Sequence, residues 1–184
     1  MLDIGNDGLV LNRANGQSYD VEDIENHLLN PNDHILYYVA AALKKGLSVE
    51  KIQKLSAIDP WFIEKIRNIV DAEQQLKEKT MDLELMKNAK HFGFSDRQIG
   101  RATNKDELEV RKLRKELGVL PIVKQIDTLA AEWPAKTNYL YVTYGGTEND
   151  IQISSDQRGV VVLGAGPYRI GSSVEFDWGT VNMV

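Results

Sequence analysis

Apolar residues recur at helical spacing along the middle of the chain, and the same pattern occurs twice. Residues 36–70 read LYYVAAALKKGLSVEKIQKLSAIDPWFIEKIRNIV, and residues 83–117 read LELMKNAKHFGFSDRQIGRATNKDELEVRKLRKEL. Aligned at an offset of 47, the two segments are identical at eight of 35 positions. Self-similarity at a fixed period predicts a duplicated structural unit.

Residues that favour the start or the end of a helix divide each copy into three helices. In the first copy Pro31 suits the first turn of a helix, because an N–H group at that position would lack a partner. We expect this helix to run to about Lys45, where Gly46 can adopt the left-handed cap conformation. A further amphipathic helix is expected before both copies, around Val21–Leu29.

The second and third helices of the first copy also have clear starting signals. The hydroxyl of Ser48 can accept a hydrogen bond from the free N–H groups of a short helix that ends near Leu55. Asp59 and Pro60 then begin a third helix. The apolar residues that recur along this third helix are Trp61, Ile63, Ile66, Ile69 and Val70.

The second copy repeats this plan with Gly93, Ser95 and Asp106 at the equivalent positions. The sequence between residues 121 and 157 then changes character. Its tyrosine-rich stretch NYLYVTYGG, with Tyr139 and Tyr141, favours an extended conformation. Aromatic residues interleaved with polar ones suit an interface at least as well as a core. We therefore expect an extended arm that lies on another surface.

The last segment joins a strand-like apolar run to a glycine loop and a helix. It reads GVVVLGAGPYRIGSSVEFDW at residues 159–178, and its glycine spacing departs from the G-x-G-x-x-G of dinucleotide-binding proteins. One strand and one helix cannot form a sheet covered on both faces. The predicted fold class is therefore mainly α: a helical bundle with an internal duplication, an extended arm and the truncated βα start of an α/β domain.

Composition narrows the class of protein. The chain has 184 residues, 42% apolar and 27% charged, which is typical of a soluble globular protein. It contains no cysteine, so disulfides and thiolate metal sites are excluded. No apolar run approaches the ~20 residues that span a bilayer. The first residues carry two aspartates and no basic cluster, unlike a secretory signal.

The charge distribution leaves one alternative function open. Each copy has three more basic than acidic residues, and a short helix, a turn and a longer helix form the outline of a DNA-reading motif. A basic cluster on the last helix comprises Arg111, Lys112, Arg114 and Lys115. The net charge of −5 favours a solvated face of a packed bundle over a nucleic-acid interface.

Candidate catalytic residues are few. The three histidines, His27, His34 and His91, lack the spacing of metal ligands and are interpreted as surface or helix-packing residues. Glu148 and Asp150 lie in a turn-rich stretch, which predicts a solvated connector rather than an acid/base pair. A third function, a free-standing small-molecule sensor, would rely on the partial glycine loop.

Several motifs together resemble one family. GVVVLGAGPYRIGSSVEFDW resembles the start of the second half of the carbamoyl-phosphate synthetase large subunit. The stretches IDPWFIEKI, VRKLRKELGVLPIVKQIDT, IDTLAAEW and NYLYVTYGG resemble its helical middle region and the adjoining arm, and LDIGNDGLVLN resembles the tail of its first ATP-binding half. The resemblance covers essentially the whole chain, and the combination of motifs is highly specific.

The resemblance implies a parent enzyme, a ligase of arginine or pyrimidine biosynthesis, with two homologous ATP-grasp halves. One half phosphorylates bicarbonate and, with ammonia, forms carbamate, and the other phosphorylates carbamate. The parent uses ATP with Mg or Mn and usually takes ammonia from a glutaminase small subunit or domain. This chain then corresponds to an excised connector between the halves, which is expected to be inactive, with no catalytic residue, cofactor or metal of its own.

The family's motifs carry over to three positions near the end of the chain. Glu175 matches a glutamate that lines the route by which carbamate passes between the halves, and Arg169 and Gly171 match the loop that shapes the same junction. A helix N-terminal acid stabilised by the helix dipole is the alternative reading of Glu175. Ser173 stands where many members have glycine, and Gly179 where many carry cysteine.

The resemblance also divides the chain into four segments. We expect residues 1–15 to be the tail of the preceding ATP-grasp half, 16–120 the helical oligomerisation domain, 121–157 the arm, and 158–184 the start of the second pre-ATP-grasp domain. The expected partners are the ATP-grasp halves of the same polypeptide, the glutaminase and a second copy of the chain, but neither nucleic acid nor a membrane. The expected location is the cytoplasm, with an organelle as the alternative.

Overall fold

Seven helices and two short strands make up the described part of the chain. The computed structural model describes residues 8–9, 23–134 and 139–151. The chain divides into two units, Met1–Asp150 and Ile151–Val184, and almost all of the second lies outside the described residues. In chain order the elements are α1 (Ile24–Leu29), α2 (Ile35–Lys44), α3 (Val49–Ser56), α4 (Pro60–Glu78), α5 (Leu83–His91), α6 (Asp96–Thr103), α7 (Glu107–Glu116), β1 (Ile122–Gln125) and β2 (Leu140–Thr143).

Equivalent side chains start the helices of the two copies, as the sequence predicts. The Oγ of Ser48 accepts a hydrogen bond from the backbone N–H three residues further on at 3.2 Å, and the Oγ of Ser95 does the same at 3.1 Å. The carboxylates of Asp59 and Asp106 accept from the first turns of α4 and α7, each at 2.8 Å. These acceptors satisfy N–H groups that have no partner inside the helix.

Residues in the left-handed backbone conformation end the helices at equivalent positions of the two copies. Gly46 and Gly93 have φ angles of 85° and 84°, so the predicted glycine caps are confirmed. Ala57 and Asn104, again 47 residues apart, end α3 and α6 with φ angles of 57° and 56°. The duplication therefore extends to the backbone conformation of the turns.

Each copy encloses its own core, and α4 belongs to both. Ile63 and Ile66 of α4 pack with α1, α2 and α3, whereas Ala72 and Leu76 pack with α5, α6 and α7. The 19 residues of α4 span about 28 Å at 1.5 Å per residue, long enough to pass from one core to the other. None of the described helices combines the length and apolarity needed to cross a membrane.

Two details of the helices differ from the sequence-based expectation. α2 begins at Ile35 and not at Pro31, because Asn32 forms a turn in which its side-chain oxygen accepts from the N–H of His34 at 2.9 Å. Trp61, expected on the buried stripe of α4, is 59% exposed. It lies in the first turn of the helix, ahead of the residues that reach the core.

After α7 the chain forms a two-stranded antiparallel ribbon of β1 and β2. Ile122 pairs with Thr143 and Gln125 with Leu140, which confirms the extended conformation predicted around the tyrosines. The described fold is thus mainly helical, as expected, and the chain predicted as an extended arm contributes a strand to a small two-stranded sheet. The predicted βα start at residues 158–184 lies outside the described residues and stays a prediction.

Candidate functional site

The residues predicted to shape the interdomain junction, Arg169, Gly171 and Glu175, lie outside the described residues, and their roles stay predictions. Within the described part of the chain, the buried charged residues are Lys90 and Arg114. Both lie where the second copy meets the ribbon. This junction is therefore the candidate site.

Asp96 binds both buried cations. It is the first residue of α6, and its carboxylate accepts hydrogen bonds from two groups of Arg114 on α7, at Oδ1 from the Nε at 3.1 Å and at Oδ2 from the Nη2 at 3.0 Å. The Nζ of Lys90 on α5 donates to the Oδ1 of Asp96 at 3.0 Å. We call these three residues the ion cluster. A bidentate arginine–carboxylate pair in a buried place interacts much more strongly than an exposed pair.

The cations of the ion cluster also bind backbone carbonyls. The Nζ of Lys90 donates to the carbonyl oxygen of Phe94 at 2.6 Å, and the Nη1 of Arg114 donates to that of Val119 at 2.9 Å. Phe94 follows α5 and Val119 follows α7. The cluster therefore holds the α5–α6 turn and the segment by which the chain leaves the helices.

The electrostatics of the cluster suit a structural role. Burial raises the pKa of the Asp96 carboxyl, but the hydrogen bonds and positive charges of Arg114 and Lys90 outweigh it, so the pKa lies below its usual value. Asp96 is therefore ionised at neutral pH. A general acid or base needs a pKa near the operating pH, so this carboxylate is suited to holding cations rather than to proton transfer.

Tyr144 joins the ribbon to the ion cluster. Its ring centroid lies 4.7 Å from the Nζ of Lys90 and 5.4 Å from the guanidinium carbon of Arg114, both within the range of cation–π interactions. Burial raises the pKa of the Tyr144 hydroxyl. The chain is thus anchored to the second copy immediately after β2.

The equivalent positions of the first copy are mostly apolar. At the offset of 47, the residues that correspond to the ion cluster are Leu43, Val49 and Arg67. Val49 is buried in the first core, and Arg67 pairs on the surface with Glu64 at 2.5 Å. The two copies therefore differ in sequence at this cluster, because two apolar residues of the first copy are replaced by charged residues in the second.

Burial of Arg114 corrects one interpretation of the basic cluster on α7. The sequence predicts Arg111, Lys112, Arg114 and Lys115 together on a solvated face. The other three are exposed, but Arg114 is 6% exposed and pairs with Asp96, so the interpretation is wrong for Arg114. A buried arginine that is paired with a carboxylate cannot contact a phosphate group. This weakens the alternative hypothesis that the chain binds nucleic acid.

The histidines lie against aromatic rings. The His27 ring stacks on Tyr38 with centroids 4.1 Å apart, and His34 and His91 also lie beside nearby rings. This agrees with the predicted packing role. Among the residues that the structure describes, no three His, Asp or Glu side chains come together in a group that could hold a metal ion.

A cleft of about 350 Å³ lies between the two copies, with α4 as one wall. At its rim the Glu73 carboxylate accepts hydrogen bonds from the Nζ of Lys44 at 2.5 Å and from the Nζ of Lys77 at 2.8 Å. Burial raises the pKa of Glu73, but these two lysines outweigh it and the pKa lies below its usual value. The three charges tie α2 to the middle of α4.

Asp150 contacts β1. Its carboxylate accepts from the Nζ of Lys124 at 2.6 Å, and the side chain of the preceding Asn149 accepts from the N–H of Val123 at 2.8 Å. The hydrogen bond from Lys124 lowers the pKa of Asp150. These contacts support the interpretation of this stretch, including the exposed Glu148, as a connector and not as a catalytic carboxylate pair.

Large apolar side chains are exposed on β2 and at described positions between β1 and β2. These residues are Ile126, Leu129, Trp133, Tyr139, Leu140, Tyr141 and Val142. A second exposed group is the edge-to-face pair of Trp61 and Phe62, whose centroids are 5.0 Å apart. Exposed large apolar side chains, where they form a contiguous surface, mark sites where proteins interact.

Two family models match the chain. The model described as carbamoyl-phosphate synthetase large chain, oligomerisation domain, matches residues 1–118. The model of the carbamoyl phosphate synthase preATP-grasp domain matches residues 156–184. These descriptions name no nucleic-acid-binding protein, so the alternative drawn from the helix–turn–helix outline has no support.

Curated relatives match along the chain. The carbamoyl phosphate synthase large chain of Sulfolobus acidocaldarius is 42% identical over 100% of this chain and 18% of its own length. The mitochondrial carbamoyl-phosphate synthase (ammonia) of Homo sapiens is 46% identical over 88% of this chain and 11% of its own length. The multifunctional protein ura1 of Schizosaccharomyces pombe is 47% identical over 88% of this chain and 7% of its own length. The chain thus spans less than a fifth of each of these relatives. Because the first family model covers more than half of the chain, the chain belongs to the carbamoyl-phosphate synthetase large-chain family, as its oligomerisation domain.

Proposed function

We propose that this chain is the connecting and self-association module of a carbamoyl-phosphate synthetase large chain and carries out no catalysis by itself. The observation that carries the proposal is the match of the oligomerisation-domain model to residues 1–118, a segment that contains the seven described helices and their two cores. The match of the preATP-grasp model to residues 156–184 supports a position next to a synthetase half.

The whole protein, on this proposal, makes carbamoyl phosphate from bicarbonate, ammonia and two ATP. ATP with Mg or Mn binds in the ATP-grasp halves of the same polypeptide, and a glutaminase small subunit or domain supplies the ammonia. The described residues do not fit a metal site, since no suitable group of His, Asp or Glu comes together among them. We place the protein in the cytoplasm, as expected from the sequence.

The contacts between helices and ribbon support a connecting role. The ion cluster binds the carbonyl oxygen of Val119, where the chain leaves α7, and Tyr144 rests on the cluster where the chain leaves β2. The end of the ribbon at which Ile122 pairs with Thr143 is therefore held against the second copy through both of its strands. Anchoring of the ribbon to the helices in this way supports a connecting role for the module.

The exposed apolar residues support self-association and contact with the halves. Trp61 and Phe62 at the start of α4, and Tyr141 and Val142 on β2, are between 48% and 65% exposed. Aromatic side chains on a protein surface are enriched at interfaces and often dominate binding energy.

Two measurements test the proposal. The purified chain, incubated with ATP, bicarbonate, ammonia and Mg²⁺, should form no carbamoyl phosphate and hydrolyse no ATP above a buffer control. Sedimentation velocity over a wide concentration range should show a dimer or a larger species. Turnover would contradict the non-catalytic part of the proposal, and a monomer at every concentration would contradict the self-association part.

We also propose that Arg169, Gly171 and Glu175 shape the passage for carbamate in the parent enzyme. Glu175→Gln in a full-length large chain should uncouple ATP hydrolysis from carbamoyl phosphate formation. Asp177→Asn, in the same VEFDW motif, is the matched control. Equal coupling in both variants and the wild type would instead favour a helix N-terminal acid at residue 175.

A further inference from the structure

The two outer edges of the ribbon differ in their hydrogen bonds. On β1 the N–H of Val123 donates to the Oδ1 of Asn149 at 2.8 Å, and its carbonyl accepts from the N–H of Asp150 at 3.0 Å. The N–H of Gln125 donates to the Oδ2 of Asp150 at 2.9 Å. The chain's own Asn149 and Asp150 therefore close this edge.

The outer edge of β2 is open among the described residues. The N–H of Ile126 donates to the carbonyl of Tyr139 at 2.8 Å. Positions that hydrogen-bond to the neighbouring strand alternate along an antiparallel strand, so Tyr141, two residues further on, also faces β1 with its backbone groups. Tyr139 and Tyr141 therefore direct their backbone groups towards β1, and Leu140 and Val142 direct theirs away from it. Among the described residues the sheet consists of β1 and β2 alone, and no third strand pairs with the outer edge of β2.

The side chains of β2 do not protect its edge. Residues 139–144 read YLYVTY and carry no charge, whereas natural edge strands are usually protected by charges, proline or a bulge. Leu140, Tyr141 and Val142 are 41%, 48% and 65% exposed. A two-stranded ribbon is only marginally stable without further strands or packing. A further strand on this edge would therefore stabilise the ribbon.

We propose that the outer edge of β2 pairs antiparallel with the same edge of a second copy, around a two-fold axis at Tyr141. The inference names the surface used for self-association and so rests on the proposed function. In this register the N–H of Val142 donates to the carbonyl of the partner's Leu140, and the N–H of Leu140 donates to the carbonyl of the partner's Val142. The symmetric pair of bonds completes a four-stranded sheet.

The chemistry of the strand favours a second copy as the occupant. An uncharged strand meets no like-charge repulsion when it pairs with itself. The nearby Lys124 is already paired with Asp150 at 2.6 Å. Tyr141 would face the partner's Tyr141 at a non-hydrogen-bonded position, with Cα atoms about 4.5 Å apart, and aromatic cross-strand pairs are favourable. A two-fold contact also closes on itself and does not propagate into a fibre.

A proline substitution tests the hydrogen bonds. Val142→Pro removes an N–H that points away from β1, so the ribbon's own ladder is kept. Val142→Thr keeps the N–H and is the matched control. By sedimentation velocity we expect Val142→Pro to raise the dissociation constant of the dimer about tenfold or more, and Val142→Thr to leave it within about threefold.

The outcomes separate the inference from the proposed function. If Val142→Pro dimerises as tightly as the wild type, the β2 edge is not the interface, although self-association through another surface stands. If the wild-type chain is a monomer at every concentration, both proposals fail. Circular dichroism confirms that each variant keeps its helices.

A cysteine scan tests the register independently. The chain contains no cysteine, so each variant carries a single thiol. Tyr141→Cys should cross-link two copies rapidly under mild oxidation, because a Cα separation of about 4.5 Å lies within the range of disulfides. Lys115→Cys, on the exposed side of α7, should cross-link slowly. Equal yields of covalent dimer from the two variants would overturn the proposed register.

Discussion

Arg114 and Asp96 form a bidentate pair, with the Nε of the arginine 3.1 Å from Oδ1 and its Nη2 3.0 Å from Oδ2 of the carboxylate. Arg67, which occupies the equivalent position in the first copy, instead pairs with Glu64 on the surface. The same residue type therefore holds a buried junction in one copy and an exposed ion pair in the other. The two copies differ at the place where the ribbon joins the helices.

The buried pair should be costly to break. Asp96→Asn keeps the shape of the side chain but leaves Lys90 and Arg114 as buried cations without an anion. We expect the free energy of unfolding at pH 7, measured with urea, to fall by about 3 kcal/mol. Glu64→Gln in the exposed pair is the control and should change it by about 0.5 kcal/mol or less. Losses of equal size in the two variants would contradict the role of burial.

Acid should destabilise the chain partly through Asp96. Burial raises its pKa, but Arg114 and Lys90 bring it below the unfolded value of about 3.9. The stability that such a group contributes is present above the unfolded pKa and is lost as the pH falls through the folded pKa. The free energy of unfolding should therefore decrease below about pH 4, and less steeply in Asp96→Asn. Parallel pH profiles of the two proteins would refute this assignment.

Gly100 should not tolerate a side chain. A Cβ on this buried residue of α6 would lie 2.6 Å from the backbone oxygen of Lys105, so the turn after the helix would have to move. We expect Gly100→Ala to lower the free energy of unfolding by about 2 kcal/mol in urea denaturation. Gln53→Ala, at the equivalent exposed position of α3, should have an effect of about 0.5 kcal/mol or less. A neutral Gly100→Ala would show that the turn can move freely.

The cap of α6 should contribute measurably to stability. Ser95 accepts from the N–H of Gln98 at 3.1 Å, and the Gln98 side chain accepts from the N–H of Ser95 at 2.8 Å. Ser95→Ala should lower the free energy of unfolding by about 1 kcal/mol. Ser95→Asp keeps an acceptor and should retain most of the stability in the same urea titration. An equal loss in both variants would point to packing rather than capping.

Tyr144 should control how firmly the ribbon is held. Tyr144→Leu keeps apolar contact but removes the ring that faces Lys90 and Arg114. Amide hydrogen exchange in β1 and β2 should become faster, while exchange in α5 stays unchanged, because the ion cluster itself is intact. Tyr139→Leu, at a residue that is 62% exposed, is the control. Faster exchange in both variants alike would contradict a specific anchor at Tyr144.

The helices and their limits could be predicted from the sequence because their signals are local. Ser48, Ser95, Asp59 and Asp106 each cap a helix within three residues of their own position, and Gly46 needs only its own φ angle. The family was likewise evident from contiguous motifs. The start of α2 differs from the prediction because Asn32 competes with the helix by forming a turn, although Pro31 would permit a helix there.

The sequence by itself thus determined the duplicated helical plan, the extended strand with its tyrosines and the family to which they belong. Only the tertiary structure decided that Arg114 is buried, that Trp61 is exposed, and that Asp150 closes the edge of β1. The reason is the distance in sequence between the groups involved: Asp96 and Arg114 are 18 residues apart, and Lys124 and Asp150 are 26 apart. Helical periodicity and capping act over a few residues, whereas burial of a charge depends on which distant carboxylate the fold brings beside it.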